Sequence, residues 1–169
     1  MTEVVTEART DRYPTRRSIK AGIEPRRDPV VWNREQVRGP LDPRAVDRFE
    51  ADGFLTIDTV LDDDIVADLR AELDSLRTDP ALAADERAVL EPNSREIRSI
   101  FEVHRVNPAF AALVADQRLV GAARQLLGSD VYVHQSRVNF KPGFNGAGFY
   151  WHSDFETWHA EDGMPAPRA

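Results

Sequence analysis

Apolar positions change their spacing several times along this chain, and each change marks an element. "LDPRAVDRFEADGF" has Asp42 placed to cap a helix, Pro43 at its first position and Gly53 just beyond its end, so it predicts a short helix over about 43–52. "FLTIDTV" then alternates apolar and polar residues, the period of a half-buried strand. In "LDDDIVADLRAELDSLRTD" acids fill the first turn, and Ile65, Leu69, Leu73 and Leu76 fall on one face, which predicts an amphipathic helix. "EIRSIFEVH" (96–104) is rich in β-branched and aromatic residues and predicts a strand. "NPAFAALVADQRLVGAARQLLGSD" predicts two helices, with Asn107 and Asp116 as caps and Gly128 as terminator. "VYVHQSRVNFKPG" alternates and breaks at Pro142-Gly143, a strand and a turn, "FNGAG" is a loop, and "FYWHSDFETW" opens as a further strand. Residues 1 to about 40 are polar and punctuated by proline, as suits an extended arm, with one domain from 41 to 169. Helices lead and strands gather towards the end, so the fold class is α+β.

Composition narrows the chemistry. The 169 residues carry 22 Lys and Arg against 29 Asp and Glu, a net charge of −7, and no basic stripe that would neutralise the phosphates of a nucleic acid. With no cysteine, disulfides and thiolate metal sites are excluded, and a metal would have to be held by His and carboxylates. The N-terminus has no apolar signal core and no uninterrupted apolar run could span a bilayer, so no membrane partner and a cytoplasmic location are expected. Lys20 and Lys141 are the only lysines among many arginines.

The chemistry concentrates around His152 and Asp154. In an extended strand, alternate residues project to one face with Cα atoms roughly 6.5–7 Å apart, so an imidazole nitrogen and a carboxylate oxygen could meet on one cation. Two His and one carboxylate on a triangular face are the donor set of non-haem Fe(II) oxygenases. The plain alternative is a surface Asp beside a hydrogen-bonded His. Phe149, Trp151, Phe155 and Trp158 place aromatic surface about the pair; as catalytic surroundings they exclude water, and as ordinary core they simply pack, a reading that suits Trp151 and Phe155 in particular. Gln135, Arg137, Asn139 and Lys141 share one face of the preceding strand by period-2 spacing, which is either a solvated sheet surface or a wall that recognises a polar ligand.

"HQSRVNFKPGFNGAGFYWHSDFETWHAEDGMP" resembles the signature region of ectoine hydroxylases, in the phytanoyl-CoA hydroxylase-like branch of Fe(II)/2-oxoglutarate dioxygenases. "DRYPTR", "PRRDPVVW", "FEADGFLTID", "EPNSREIRSIFEVH" and "ARQLLGSDVYVHQSR" extend the likeness over nearly the whole chain. The resemblance implies N-terminal helices packed on the start of a double-stranded β-helix of the jelly-roll or cupin kind. It implies His152 and Asp154 as iron ligands and catalytic residues, with Fe(II) as cofactor and 2-oxoglutarate and O2 as cosubstrates. Lys141, Asn139 and Phe149 are implied to line the 2-oxoglutarate pocket, and Gln135, Thr157 and Trp158 to contact the substrate, ectoine. An indole face against its cationic ring would be a cation–π contact. The implied reaction converts ectoine to 5-hydroxyectoine with release of succinate and CO2, and a homodimer is compatible with it.

The family's third iron ligand, a distal His, and its far-side basic clamp on 2-oxoglutarate have no counterpart here. His104 sits in another predicted strand as a structural residue, His134 points away from Gln135, and His159 is too near His152 in sequence to cross a barrel. The chain is therefore expected to be an N-terminal portion of the enzyme, inactive by itself. The competing expectations are a relative acting on another small solute or amino acid, and a non-catalytic fragment that binds ligand or metal weakly.

Overall fold

The computed structural model describes residues 13, 20, 22–23, 25–26, 28–140, 148 and 150–165. Two compact units divide the chain, one formed by Val30–Gly148 and the other by Met1–Pro29 with Phe149–Ala169.

In the larger unit, helix α1 (Pro43–Asp52) starts where Asp42 accepts a hydrogen bond from the Ala45 N–H, and stops at Gly53 in the left-handed conformation. Helix α2 (Asp63–Arg77) carries Asp63 and Asp64 in its first turn, which suits the positive end of its dipole, and Arg77 in its last. A single turn, α3 (Pro80–Ala83), follows. Strands β1 (Ala88–Leu90) and β2 (Ile97–Phe101) pair antiparallel, and after the turn α4 (Val103–Val106) come α5 (Pro108–Val114) and α6 (Gln117–Leu127). Asn107 and Asp116 cap α5 and α6 with their side chains, and Gly128 ends α6 with a positive φ. Strand β3 (Arg137–Asn139) then adds to the free side of β2, giving an antiparallel sheet of order β1-β2-β3.

The core lies where α2, α3, α4 and α5 meet the sheet: Leu76, Leu82, Ile97, Ile100, Val103 and Phe110 are buried, with Leu69, Leu73 and Val138 packed against them. Ile97 and Ile100 are three apart, yet both face this core. The register explains it, since Leu90 pairs with Ile97 but Val89 with Ser99, so β2 carries one extra residue, a β-bulge. Beyond the bulge, Ser99 pairs with Asn139 and Phe101 with Arg137 on the opposite face.

A strap of irregular chain, 31–41, lies along α6. The Trp32 N–H donates to the Leu126 carbonyl at 2.9 Å, and the Asn33 carboxamide to that of Gly128 at 2.9 Å. At its other end the Gln125 side chain accepts from the Leu41 N–H and donates to the Leu41 carbonyl, both at 2.9 Å. Glycines permit this approach: a Cβ on Gly39 would stand 2.5 Å from Gln125 Oε1 and 2.9 Å from the Gly121 carbonyl oxygen.

Several expected strands are different in the structure. "FLTIDTV" is irregular, with Phe54 and Ile57 exposed, because among the described residues no neighbouring strand satisfies its backbone. "EIRSIFEVH" ends its strand at Phe101, and Glu102, with a positive φ, turns the chain into α4, so His104 is helical. "VYVHQSRVNF" pairs only over Arg137–Asn139, which leaves Gln135 outside the strand. In the smaller unit "FYWHSDFETW" is no strand over its described residues: 150–153 are irregular and helix α7 (Asp154–Ala160) follows. Strands are thus spread along the chain between helices rather than gathered at its end.

Candidate metal and cosubstrate site

The implied site residues divide between the two units. In the smaller one, Asp154 is the first residue of α7 and His152 lies two residues before it, so strand alternation is not what joins them. The turn into the helix does: His152 Nε2 stands 3.2 Å from Asp154 Oδ1. His152 Nδ1 is 2.6 Å from the Tyr150 carbonyl oxygen, an acceptor, so Nδ1 carries the proton and donates it there. That bond fixes the ring and turns the Nε2 lone pair towards the carboxylate. Two acceptors this close repel unless a proton or a metal cation lies between them, so the arrangement is one that a cation stabilises. Both side chains are more than half exposed. One imidazole and one carboxylate suit Fe(II), and among the described residues no three His, Asp or Glu side chains converge on one point.

The helix has a second consequence. Thr157 and Trp158 follow Asp154 by three and four residues, so both lie on its face of α7. A strand would have put Thr157 on the opposite face. Behind α7 a ring cluster packs: Phe155 stacks on His159 at 5.3 Å, and Tyr13 meets both edge-on at 4.7 and 5.1 Å. His159 is buried, with Nδ1 2.6 Å from the Met164 carbonyl oxygen. Phe155 is therefore packing. Trp151, expected as core or as cover for the pair, is neither, since it is fully exposed, and Tyr150 is 94% exposed. Trp158 is half-buried.

In the larger unit Asn139 and Arg137 share one face of β3, and Gln135 is exposed just before it. Ser99, on the neighbouring strand, has its hydroxyl 2.7 Å from Asn139 Oδ1. Arg137 lays its guanidinium over the Phe101 ring, 4.7 Å from the centroid, and brings Nη2 to 3.4 Å from the Ser99 hydroxyl. Sequence reasoning missed Ser99, although a lone serine inside "IRSIF" is the signal that could have found it. His104 has its Nδ1 on the Ser136 hydroxyl at 2.5 Å, a structural bond. Lys141 and Phe149 lie outside the described residues.

Residues 49–169 match the model of the phytanoyl-CoA dioxygenase family (PhyH). The ectoine dioxygenase of Streptomyces coelicolor is 55% identical over 168 residues, covering 99% of this chain and 56% of that protein. The ectoine dioxygenase of Stutzerimonas stutzeri is 51% identical over 158 residues, covering 94% and 52%. Among solved structures, EctD from S. alaskensis with 2-oxoglutarate and 5-hydroxyectoine superposes with a TM-score of 0.84 at 49% identity, over 94% of this chain and 56% of that one. The same protein with bound Fe gives 0.83. The fold is α+β and similar to that of EctD, and the chain spans about half the length of the curated relatives it matches.

Proposed function

The chain belongs to the phytanoyl-CoA dioxygenase family, and on that premise we propose that it is the N-terminal part of an Fe(II)- and 2-oxoglutarate-dependent ectoine hydroxylase. The reaction converts ectoine and O2 to 5-hydroxyectoine while 2-oxoglutarate becomes succinate and CO2. Identity of 55% to an ectoine dioxygenase over almost the whole chain supports the substrate. The observation that carries the chemistry is the His152–Asp154 pair, whose Nε2 and Oδ1 stand 3.2 Å apart with the imidazole tautomer fixed from behind.

On this reading His152 and Asp154 hold the iron, which when bound supplies the oxygen chemistry. Asn139, with Lys141 and Phe149, lines the 2-oxoglutarate pocket. A lysine there would pair its ammonium with a carboxylate of the cosubstrate. Gln135, Thr157 and Trp158 contact ectoine, Gln135 through a carboxamide able both to donate and to accept. Residues 41–169 belong to the first part of a jelly-roll domain in which the described sheet is the opening layer.

The test is Fe(II)-dependent succinate release, measured with and without ectoine, from this chain extended by the C-terminal part of the S. coelicolor relative. Release that ectoine stimulates supports the reading. Release that ectoine leaves unchanged, with another small solute active, assigns a different substrate. A second reading holds for the 169-residue chain by itself: with only two converging donors among the described residues, it binds Fe(II) weakly and turns over no substrate.

A further inference from the structure

Ser99 is completely buried, yet it faces away from the apolar core, on the same side of the sheet as Asn139 and Arg137. A polar side chain enclosed in this way has to be matched by partners, and the partners fix which way its single proton points. Guanidinium is a donor only, so Arg137 Nη2, at 3.4 Å, can only give a hydrogen to Ser99 Oγ. The hydroxyl then has its own proton to direct elsewhere, and the acceptor at hand is Asn139 Oδ1, at 2.7 Å. The chain of donors runs from a cation, through a hydroxyl, to an amide oxygen, and each bond polarises the next. Register makes the arrangement rigid. Ser99 and Asn139 are directly opposed across β2 and β3, Phe101 and Arg137 are opposed one pair along, and the Phe101 ring holds the guanidinium in place.

An asparagine carboxamide can otherwise sit in either of two orientations. We propose that Ser99 is a positioning residue for the cosubstrate: by giving its proton to Asn139 Oδ1, it turns the Asn139 Nδ2 hydrogens outward as donors for a carboxylate of 2-oxoglutarate. This rests on the reading above that Asn139 lines the 2-oxoglutarate pocket. Alanine at Ser99 removes the constraint without touching the pocket, and the freed carboxamide can then present its oxygen, which repels a carboxylate.

The experiment titrates 2-oxoglutarate, with Mn(II) as the metal probe, into the extended protein and its Ser99→Ala, Ser99→Thr, Asn139→Ala and Ser99→Ala/Asn139→Ala variants. The side-chain amide signals of Asn139 are followed by NMR on separate metal-free samples, because paramagnetic Mn(II) would broaden them. Ser99→Ala should weaken 2-oxoglutarate roughly tenfold, the size expected for a hydrogen bond to a charged group. Asn139→Ala should weaken it comparably and the double variant no further, because both remove one interaction. Ser99→Thr, which keeps the hydroxyl, should restore affinity, and the Asn139 amide signals should shift in Ser99→Ala and return in Ser99→Thr. Wild-type affinity in Ser99→Ala beside a loss in Asn139→Ala overturns the positioning role alone, as does an additive double variant. Full affinity in Asn139→Ala overturns the pocket reading, and the inference with it.

Discussion

At the scale of single residues, a proton decides what the His152–Asp154 pair can hold. With Nδ1 committed to the Tyr150 carbonyl, Nε2 is the nitrogen left to ligate, so either substitution removes half of the described donor set. His152→Ala and Asp154→Ala should each lower Fe(II) or Mn(II) affinity by more than about tenfold, measured by calorimetry, since even the outer-shell partners of metal ligands are worth about 10–100-fold. Retention of metal by the double variant would remove the pair from the site. Elsewhere, the Arg118 guanidinium and backbone N–H bond the Asp116 carboxylate and hold its pKa down to about 2, and Arg87 does the same for Asp85. A carboxyl whose folded pKa is lowered adds stability above its unfolded pKa of about 4, and that share is lost as pH falls from about 4 through 2. Carbon-13 titration of the two carboxyls should place their midpoints near 2 in the folded protein, with Arg118→Ala returning Asp116 towards the ordinary value.

At the scale of elements, glycine shows how local and tertiary causes separate. Gly53 and Gly128 both end helices at positive φ, but a Cβ on Gly53 meets nothing within 4 Å, whereas one on Gly128 would stand 2.3 Å from the Trp32 carbonyl oxygen. Gly53→Ala should cost about 1 kcal/mol, the strain of a left-handed residue alone. Gly128→Ala should cost more, by a further 1–3 kcal/mol, because the strap must also shift. Chemical denaturation of the two variants checks the order, and equal losses would mean that the strap bears no load. The same division explains what the sequence disclosed. Caps are local, and Asp42, Asn107, Asp116 and Gly128 announced their helices within a residue or so. Strands depend on partners, so alternation in "FLTIDTV" promised one where the described residues pair nothing, while β1, only three residues long, gave no signal. The nearness of His152 to Asp154 was legible in the sequence, but the geometry that joins them was not. A helix start instead of a strand joins the pair, and Ser99 meets Asn139 only through a cross-strand register that no local spacing encodes.

At the scale of the whole molecule, unmatched surface sets the behaviour of the 169-residue chain in solution. Within the described sheet only β2 is paired on both sides, so β1 and β3 each present an unpaired edge. Exposed apolar groups add to this: Phe54, Tyr132, Tyr150 and Trp151 all stand largely in solvent. Open edges and apolar side chains are the features through which chains associate. A net charge of −7 opposes that association, but across distances beyond about 8 Å at physiological salt its repulsion is screened, and edge pairing acts at contact. The expected outcome is concentration-dependent self-association, seen as a rising weight-average mass in sedimentation, together with a broad thermal transition. Trp151 should report it, since iodide quenches an exposed indole and pairing over that surface would shield it. Extension by the C-terminal part of a relative nearly twice as long supplies residues able to cover these edges, so the extended protein should sediment as one species and melt cooperatively. A monomeric, cooperatively melting 169-residue chain would instead mean that the short sheet and its helices are sufficient as they stand, and that the relatives' additional length serves the site rather than the fold.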